Sequence, residues 1–131
     1  MTAHLFVYGT LMRRFRHPMH DALARAAEFV GEASVQGRLY DLGLYPGLVL
    51  SDSRADTVFG ELYRLHDDTV LRVLDDYEGC GRDDPQPHEY VRGTVSVLAA
   101  DGGATSAWAY IYARAVEERT HLASGRYAPP L

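Results

Sequence analysis

The chain has 131 residues, of which 47% are hydrophobic and 24% charged, which suits one globular domain (residues 1–131) with a single core. Its formal charge of −5 argues against a broad surface for nucleic acid. The lone cysteine, Cys80, cannot form an internal disulfide, and no stretch approaches the roughly 20 apolar residues of a membrane span, so we expect a cytoplasmic protein with no membrane partner.

The first predicted strand is Leu5–Tyr8, an unbroken apolar and aromatic run that is typical of a buried strand. Gly9 follows where the backbone must turn sharply, and Thr10 is a good helix N-cap. The N–H groups of Gly9, Thr10 and Leu11 would then point into one concavity, a nest that binds carboxylate or phosphate. A plain turn between a strand and a helix fits the same residues.

Three arginines follow this turn, and they either complement an anion or form a solvated basic segment: Arg13, Arg14 and Arg16. A short helix is predicted from Pro18, with Met19 and Leu23 on its apolar stripe. His17 and His20, beside Asp21, have a spacing that is compatible with a metal. No further Cys/His cluster supplies the remaining ligands, so we predict no metal site.

The next segments alternate between apolar and polar residues and predict strands, the first of them long and bent with bulges at Gly31 and Gly37. The strands are expected at residues 28–39, 48–50, 57–65, 90–99 and 106–113, with a hairpin turn at 101–103. Strands with two short helices predict an α+β domain whose mixed, largely antiparallel sheet is curled. The tail from Ser124 is expected to be loose unless Tyr127 docks.

A second helix is predicted after the cap-like sequence at 67–69, and it ends at Gly79. Its apolar stripe consists of Val70, Leu71, Val73, Leu74 and Tyr77. Asp75 and Asp76 point away from this stripe, whereas Glu78, four residues after Leu74, continues it.

Glu78 is therefore expected to be partly desolvated and close to the negative end of the helix dipole. Both effects raise the pKa of a carboxyl group towards neutrality, where it can accept and donate a proton. The alternative is a frayed last turn that leaves Glu78 in solvent or paired with an arginine.

Five segments in this order resemble the gamma-glutamylcyclotransferase-like superfamily, especially its small bacterial members and the gamma-glutamylamine cyclotransferase branch. They are LFVYGTL (5–11), GRLYDLGLYPGLV (37–49), GELY (60–63), LDDYEG (74–79) and YVR (90–92). The resemblance implies a small β-barrel flanked by short helices, with a cavity at one end.

The resemblance also implies a site and a reaction. The turn of Tyr8, Gly9, Thr10 and Leu11 would hold the α-carboxylate of a small gamma-glutamyl substrate, and Tyr90 would border it. Glu78 would be the general acid/base for attack of the α-amine on the γ-carbonyl, which releases 5-oxoproline. This chemistry requires no metal or organic cofactor.

The chain departs from the pattern at residues 15–20, where relatives often carry a glycine and an asparagine, and in a longer loop at 80–87. Both departures leave the leaving group open. The main alternative is a non-catalytic module that binds a small carboxylate in the same cavity. An enzyme with Cys80 as nucleophile, or a zinc hydrolase with His17 and His20, has less support in the residues.

Overall fold

A computed structural model describes residues 3–9, 11–13, 17–43, 45–81 and 84–127. Its elements in chain order are β1 (His4–Val7), α1 (Pro18–Ala26), β2 (Ala27–Asp41), β3 (Pro46–Leu50), β4 (Thr57–Leu65), α2 (Thr69–Tyr77), β5 (Tyr90–Ala99), β6 (Ala104–Tyr112) and β7 (Thr120–His121).

Five of the strands close into a small barrel in the order β1, β4, β2, β3, β6, because β6 pairs again with β1. The β1–β6 and β3–β6 pairs are parallel and the other pairs are antiparallel. β5 lies against both β6 and β2, and β7 pairs with the end of β2. The predicted fold, a mixed and largely antiparallel barrel with short flanking helices, is confirmed.

β1 is buried on both faces, which explains its unbroken apolar sequence. Leu5 and Val7 belong to a cluster that includes the apolar residues of both helices. Phe6 and the neighbouring Tyr8 belong to a second cluster, which apart from Tyr127 is made of residues on or beside the strands and fills the barrel. β1 pairs with β4 on one side and β6 on the other, so it is central in the sheet as predicted.

The long second strand bends at one of the two glycines predicted to form bulges. Its register with β4 shifts between Phe29 and Gly31, which confirms the first bulge. The bulge predicted at Gly37 is wrong, because Gly37 pairs regularly with Leu50 of β3. A Cβ on Gly37 would lie 2.8 Å from the Leu48 side chain, so this glycine permits a close approach of two strands.

The helix predicted from Pro18 is confirmed, and His17 caps it by accepting a hydrogen bond from Met19 N–H at Nδ1 (3.0 Å). Of the helix expected directly after Gly9, the described residues include only 11–13, where Arg13 is in 3₁₀ conformation, so the helix stays a prediction. There Met12 N–H donates to Gly9 O and closes a single turn. Thr10, the expected cap, lies outside the described residues.

The second helix buries a narrower stripe than predicted. Its Val70, Leu71 and Leu74 are buried, but Val73 is 48% exposed and Tyr77 is 39% exposed. Their positions on the predicted stripe are therefore wrong, because of the stripe only Val70, Leu71 and Leu74 pack into the core cluster. Neither helix in the described part of the chain has the length and apolar content needed to cross a bilayer.

The end of the described chain is held against the barrel by Tyr127, which is 3% exposed. Just before it, Gly125 adopts a φ of +69° and its carbonyl accepts a hydrogen bond from Phe59 N–H of β4 (2.8 Å). The tail therefore docks as far as Tyr127, and residues 128–131 lie outside the described part.

Candidate active site

A cavity of about 480 Å³ opens at one end of the barrel, beside the end of α2. This volume is within the usual range for small-molecule sites. The described residues that line it are Phe6, Val7, Tyr8, Gly9, Leu11, His17, Tyr45, Pro46, Tyr77, Glu78, Gly79, Glu89, Tyr90 and Tyr110.

The floor of the cavity is the end of β1 and the turn that leaves it. Phe6 is fully buried, and Gly9 lies so close to Pro46 that a Cβ on it would be 3.0 Å from Pro46 Cγ. Among the described residues, no acceptor is found for the N–H groups of Gly9 and Leu11. Both residues line the cavity, and that their N–H groups bind a ligand there stays a prediction.

Glu78 is the residue that ends α2, and its side chain lines the same cavity as Gly9. Its N–H donates to Leu74 O (2.9 Å), and Gly79 then takes a φ of +73°, the left-handed stop predicted from the sequence. Burial is the main cause that raises the pKa of the Glu78 carboxyl to about 7, and the nearby Glu89 carboxylate adds to the rise.

Asp75 ties the end of this helix to the sheet. Its carboxylate accepts from Arg92 Nε (2.8 Å) and Nη2 (3.2 Å) and from the Tyr110 hydroxyl (2.8 Å). Arg92 also lies over the ring of Trp108, with its guanidinium carbon 4.4 Å from the centroid. Asp75 points away from the apolar stripe as expected, but it faces β5 and β6, and the cluster fixes the last turn of α2 before Glu78.

Tyr8 and Tyr90 border the cavity with their rings, because their hydroxyls are engaged elsewhere. Tyr8 Oη donates to Tyr110 O (2.5 Å) and accepts from Leu48 N–H (3.2 Å). Tyr90 Oη donates to Pro46 O (2.6 Å). Burial raises the pKa of both hydroxyls, so they stay neutral and form fixed walls.

The mouth of the cavity carries a second set of polar side chains. Tyr45 Oη is 3.0 Å from both carboxylate oxygens of Glu89. The Tyr77 hydroxyl lies 3.3 Å from His17 Nε2, and both residues also line the cavity. Both tyrosines are more than a third exposed, which places these pairs where the cavity meets solvent.

The structure thus brings five of the six residues expected at the site into one cavity: Tyr8, Gly9, Leu11, Glu78 and Tyr90. The sixth, Thr10, lies outside the described residues. The sequence reasoning missed Glu89 and Tyr45. The signals for them were weak: Glu89 directly precedes Tyr90, and Tyr45 belongs to the YPG segment.

The basic segment after the turn does not contribute an arginine to the described lining. Arg13 pairs with Glu61 (3.5 Å), and its guanidinium carbon lies 3.7 Å from the centroid of the Phe29 ring. Arg14 and Arg16 lie outside the described residues.

The alternatives with other catalytic groups find little support. Burial is the main cause that raises the pKa of the Cys80 thiol to about 11, so it is protonated at neutral pH and a poor nucleophile. His17 and His20 have different partners, since His17 Nδ1 accepts from Met19 N–H whereas His20 Nδ1 lies 2.8 Å from Leu11 O. In the described ranges, no three His, Cys, Asp or Glu side chains are grouped to hold a metal.

Comparison with known proteins gives a family match over nearly the whole chain. Residues 5–129 match the family model described as gamma-glutamyl cyclotransferase, AIG2-like. A gamma-glutamylcyclotransferase family protein of Citrobacter rodentium is 36% identical over 126 residues, covering 94% of this chain and 93% of the relative. A gamma-glutamylaminecyclotransferase of Rattus norvegicus is 30% identical, covering 86% of this chain and 78% of the relative.

Solved structures agree with this match. A crystal structure of an AIG2-like protein from Mus musculus superposes with a TM-score of 0.71 at 27% identity, covering 98% of this chain and 96% of the other. The solution structure of the Escherichia coli protein YtfP gives 0.65 at 32% identity, with 95% of each chain covered. The family predicted from the motifs is confirmed, and the chain belongs to the gamma-glutamyl cyclotransferase, AIG2-like family.

Proposed function

We propose that the protein converts a gamma-glutamyl compound into 5-oxoproline and a free amine or amino acid, with Glu78 as general acid/base. Its family makes it an enzyme of the gamma-glutamylcyclotransferase type. The observation that carries the specific proposal is a carboxyl group of pKa about 7 in the same cavity as the turn at Gly9.

The turn at Gly9 is proposed to bind the α-carboxylate of the substrate. The described lining contains no arginine, and Gly9 and Leu11 N–H lack other acceptors in the described chain, which supports recognition of the charge by backbone donors. Thr10 N–H belongs to the proposed nest on the sequence pattern. The rings of Tyr8 and Tyr90 would pack against the carbon chain of the glutamyl group.

Glu78 is proposed to accept one proton from the α-ammonium of the substrate and later to donate it to the γ-nitrogen. A carboxyl group with a pKa of about 7 is present in both protonation states near neutral pH. Its ionised form takes a proton from the α-ammonium of the substrate. The freed amine attacks the γ-carbonyl carbon, and a new C–N bond closes a five-membered ring.

The same carboxyl completes the reaction. The proton on Glu78 passes to the nitrogen of the γ-amide as the bond from the carbonyl carbon to that nitrogen breaks. The amine leaves with this proton, the carbonyl forms again, and Glu78 is ionised for the next turnover. The ring nitrogen loses its surplus proton, which passes through solvent to the released amine and makes it an ammonium ion. Because both reacting groups belong to one molecule, orientation supplies much of the rate and one acid/base suffices.

The proposed reaction consumes no cofactor, and we place it in the cytoplasm, since the single cysteine requires no oxidising compartment. Recovery of the protein in the soluble cytoplasmic fraction of fractionated cells tests this location, and recovery elsewhere would contradict it.

The test is incubation of the enzyme with a panel of gamma-glutamyl amines and gamma-glutamyl dipeptides, with 5-oxoproline followed by mass spectrometry. We expect 5-oxoproline and the matching free amine in equal amounts from at least one substrate. Glu78→Gln should lose this turnover, whereas Glu118→Gln, a change at an exposed glutamate, should keep it. Tight binding without turnover across the panel would favour the binding module instead.

A further inference from the structure

Glu89 is a second carboxylate of the cavity, and the proposed chemistry does not use it. It directly precedes β5, is half-buried, and lines the cavity together with Glu78. Its hydrogen-bond donor in the described chain is the Tyr45 hydroxyl, at 3.0 Å from each oxygen. Since Tyr45 is 37% exposed, this pair lies at the mouth rather than at the floor.

No basic side chain of the described residues forms an ion pair with Glu89. Arg114 is near Tyr45, but it is exposed and is not among the described residues that line the cavity. Glu78 lines the same cavity and its carboxylate has the same sign of charge. A half-buried carboxylate facing a like charge is unfavourable unless a cation compensates it.

The position of Glu89 in the cavity indicates which part of a bound substrate would contact its carboxylate. In the proposed function the glutamyl group lies at the floor, between the turn at Gly9 and Glu78. The group on the γ-nitrogen then extends towards the mouth, where Glu89 and Tyr45 lie.

We propose that Glu89 is a specificity-determining residue that selects a leaving amine with a second positive charge and no carboxylate. This inference rests on the proposed function and names the substrate class of that same cavity: monoamides of the glutamate γ-carboxyl with a diamine. The terminal ammonium would donate to Glu89, whose orientation Tyr45 fixes. An amino acid as leaving group would instead bring its own carboxylate close to Glu78 and Glu89.

The test compares two substrates of one shape: the gamma-glutamyl monoamide of a short diamine, and its isostere in which a methyl group replaces the terminal ammonium. Release of 5-oxoproline is measured at pH 8.5, where Glu78 is ionised in the wild type and remains so if its pKa falls. We expect kcat/KM of the wild type to favour the cationic substrate by a factor on the order of 10. This ratio should fall as salt is added.

Glu89→Gln keeps the shape of the side chain and removes the charge. In this variant the ratio should fall to about 1, mainly through loss of the cationic substrate, while Glu118→Gln should keep the wild-type ratio. Equal rates for the two substrates in the wild type would overturn the inference and leave the proposed function standing. An equal loss for both substrates in Glu89→Gln would also overturn it. If no gamma-glutamyl compound yields 5-oxoproline, the proposed function itself fails and the inference fails with it.

Discussion

Replacing Glu78 by Gln should make the protein more stable and nearly inactive. The carboxyl group titrates near its ordinary pKa of 4.5 in the unfolded chain and at about 7 in the folded protein. Between these pH values the folded state binds more protons, so the free energy of unfolding falls as pH rises, by about 1.4 kcal/mol per pH unit. The full destabilisation, reached above pH 7, is about 3 kcal/mol, and it is absent below pH 4.5.

Gln removes this pH dependence because it carries no titratable proton. At pH 8 we expect Glu78→Gln to be more stable than the wild type by about 1–3 kcal/mol, the lower limit allowing for a buried amide with fewer partners. For a chain of this length this corresponds to a rise in Tm of roughly 3–10 °C. At pH 4.5 the two proteins should unfold at similar temperatures. Turnover of a gamma-glutamyl substrate should fall by a factor on the order of 10² or more.

Thermal unfolding from pH 4.5 to 8.5 measures the first effect, and release of 5-oxoproline measures the second. Glu118→Gln serves as the matched control and should follow the wild type in both assays. If the wild type and Glu78→Gln show the same dependence of Tm on pH, the carboxyl is not desolvated as described. Full activity in Glu78→Gln would refute the assignment of the acid/base.

Three further predictions concern residues around this carboxyl and the closure of the barrel. Glu89→Gln removes the negative charge near Glu78, so the pKa of Glu78 should move below about 7 and the rise of kcat/KM with pH should shift to lower pH. An unchanged pH profile would show that Glu89 does not affect the titration of Glu78. Asp75→Asn leaves the half-buried Arg92 without its counter-charge, so the free energy of unfolding, measured with denaturant, should fall by about 2 kcal/mol. A change within experimental error would show that the Asp75–Arg92 pair does not stabilise the end of α2. Gly125→Ala forces a side chain into a φ of +69° and against a backbone carbonyl of β4, so it should lower stability by about 1–3 kcal/mol, and a neutral result would show that the tail does not hold the barrel.

Most of the fold could be predicted because its strands carry local signals. The unbroken run at Leu5–Tyr8 marks a strand buried on both faces, and β4 has the bounds expected from its alternation. Glu78 could be placed beside the buried face by helical spacing, because only a few residues separate it from Leu74. The same spacing failed for Val73, since helical periodicity gives the direction of the apolar face but not how many of its residues are covered by the rest of the protein.

The mouth of the cavity could not be predicted in the same way. Tyr45 and Glu89 are 44 positions apart in the chain and meet because β3 and β5 each pair with β6. The sequence around either residue contains no local pattern that predicts the contact between Tyr45 and Glu89. The wrong prediction of a bulge at Gly37 has a similar cause. A glycine is required there by the nearby Leu48 side chain of another strand, which the local sequence does not reveal.

The parallel pairing of β1 with β6 also determines when the protein can become active during its synthesis. Leu5 pairs with Trp108, and the Tyr8 hydroxyl reaches the carbonyl of Tyr110, so the floor of the cavity depends on contacts across more than a hundred positions. A nascent chain that has already emerged beyond Glu78 still lacks β6, and the apolar residues of β1 have no partner on that side. Contacts of this range slow folding and leave an unpaired strand open to aggregation in the meantime. Activity is therefore expected only after β6 has left the ribosome, and fragments that end before β6 should have no activity.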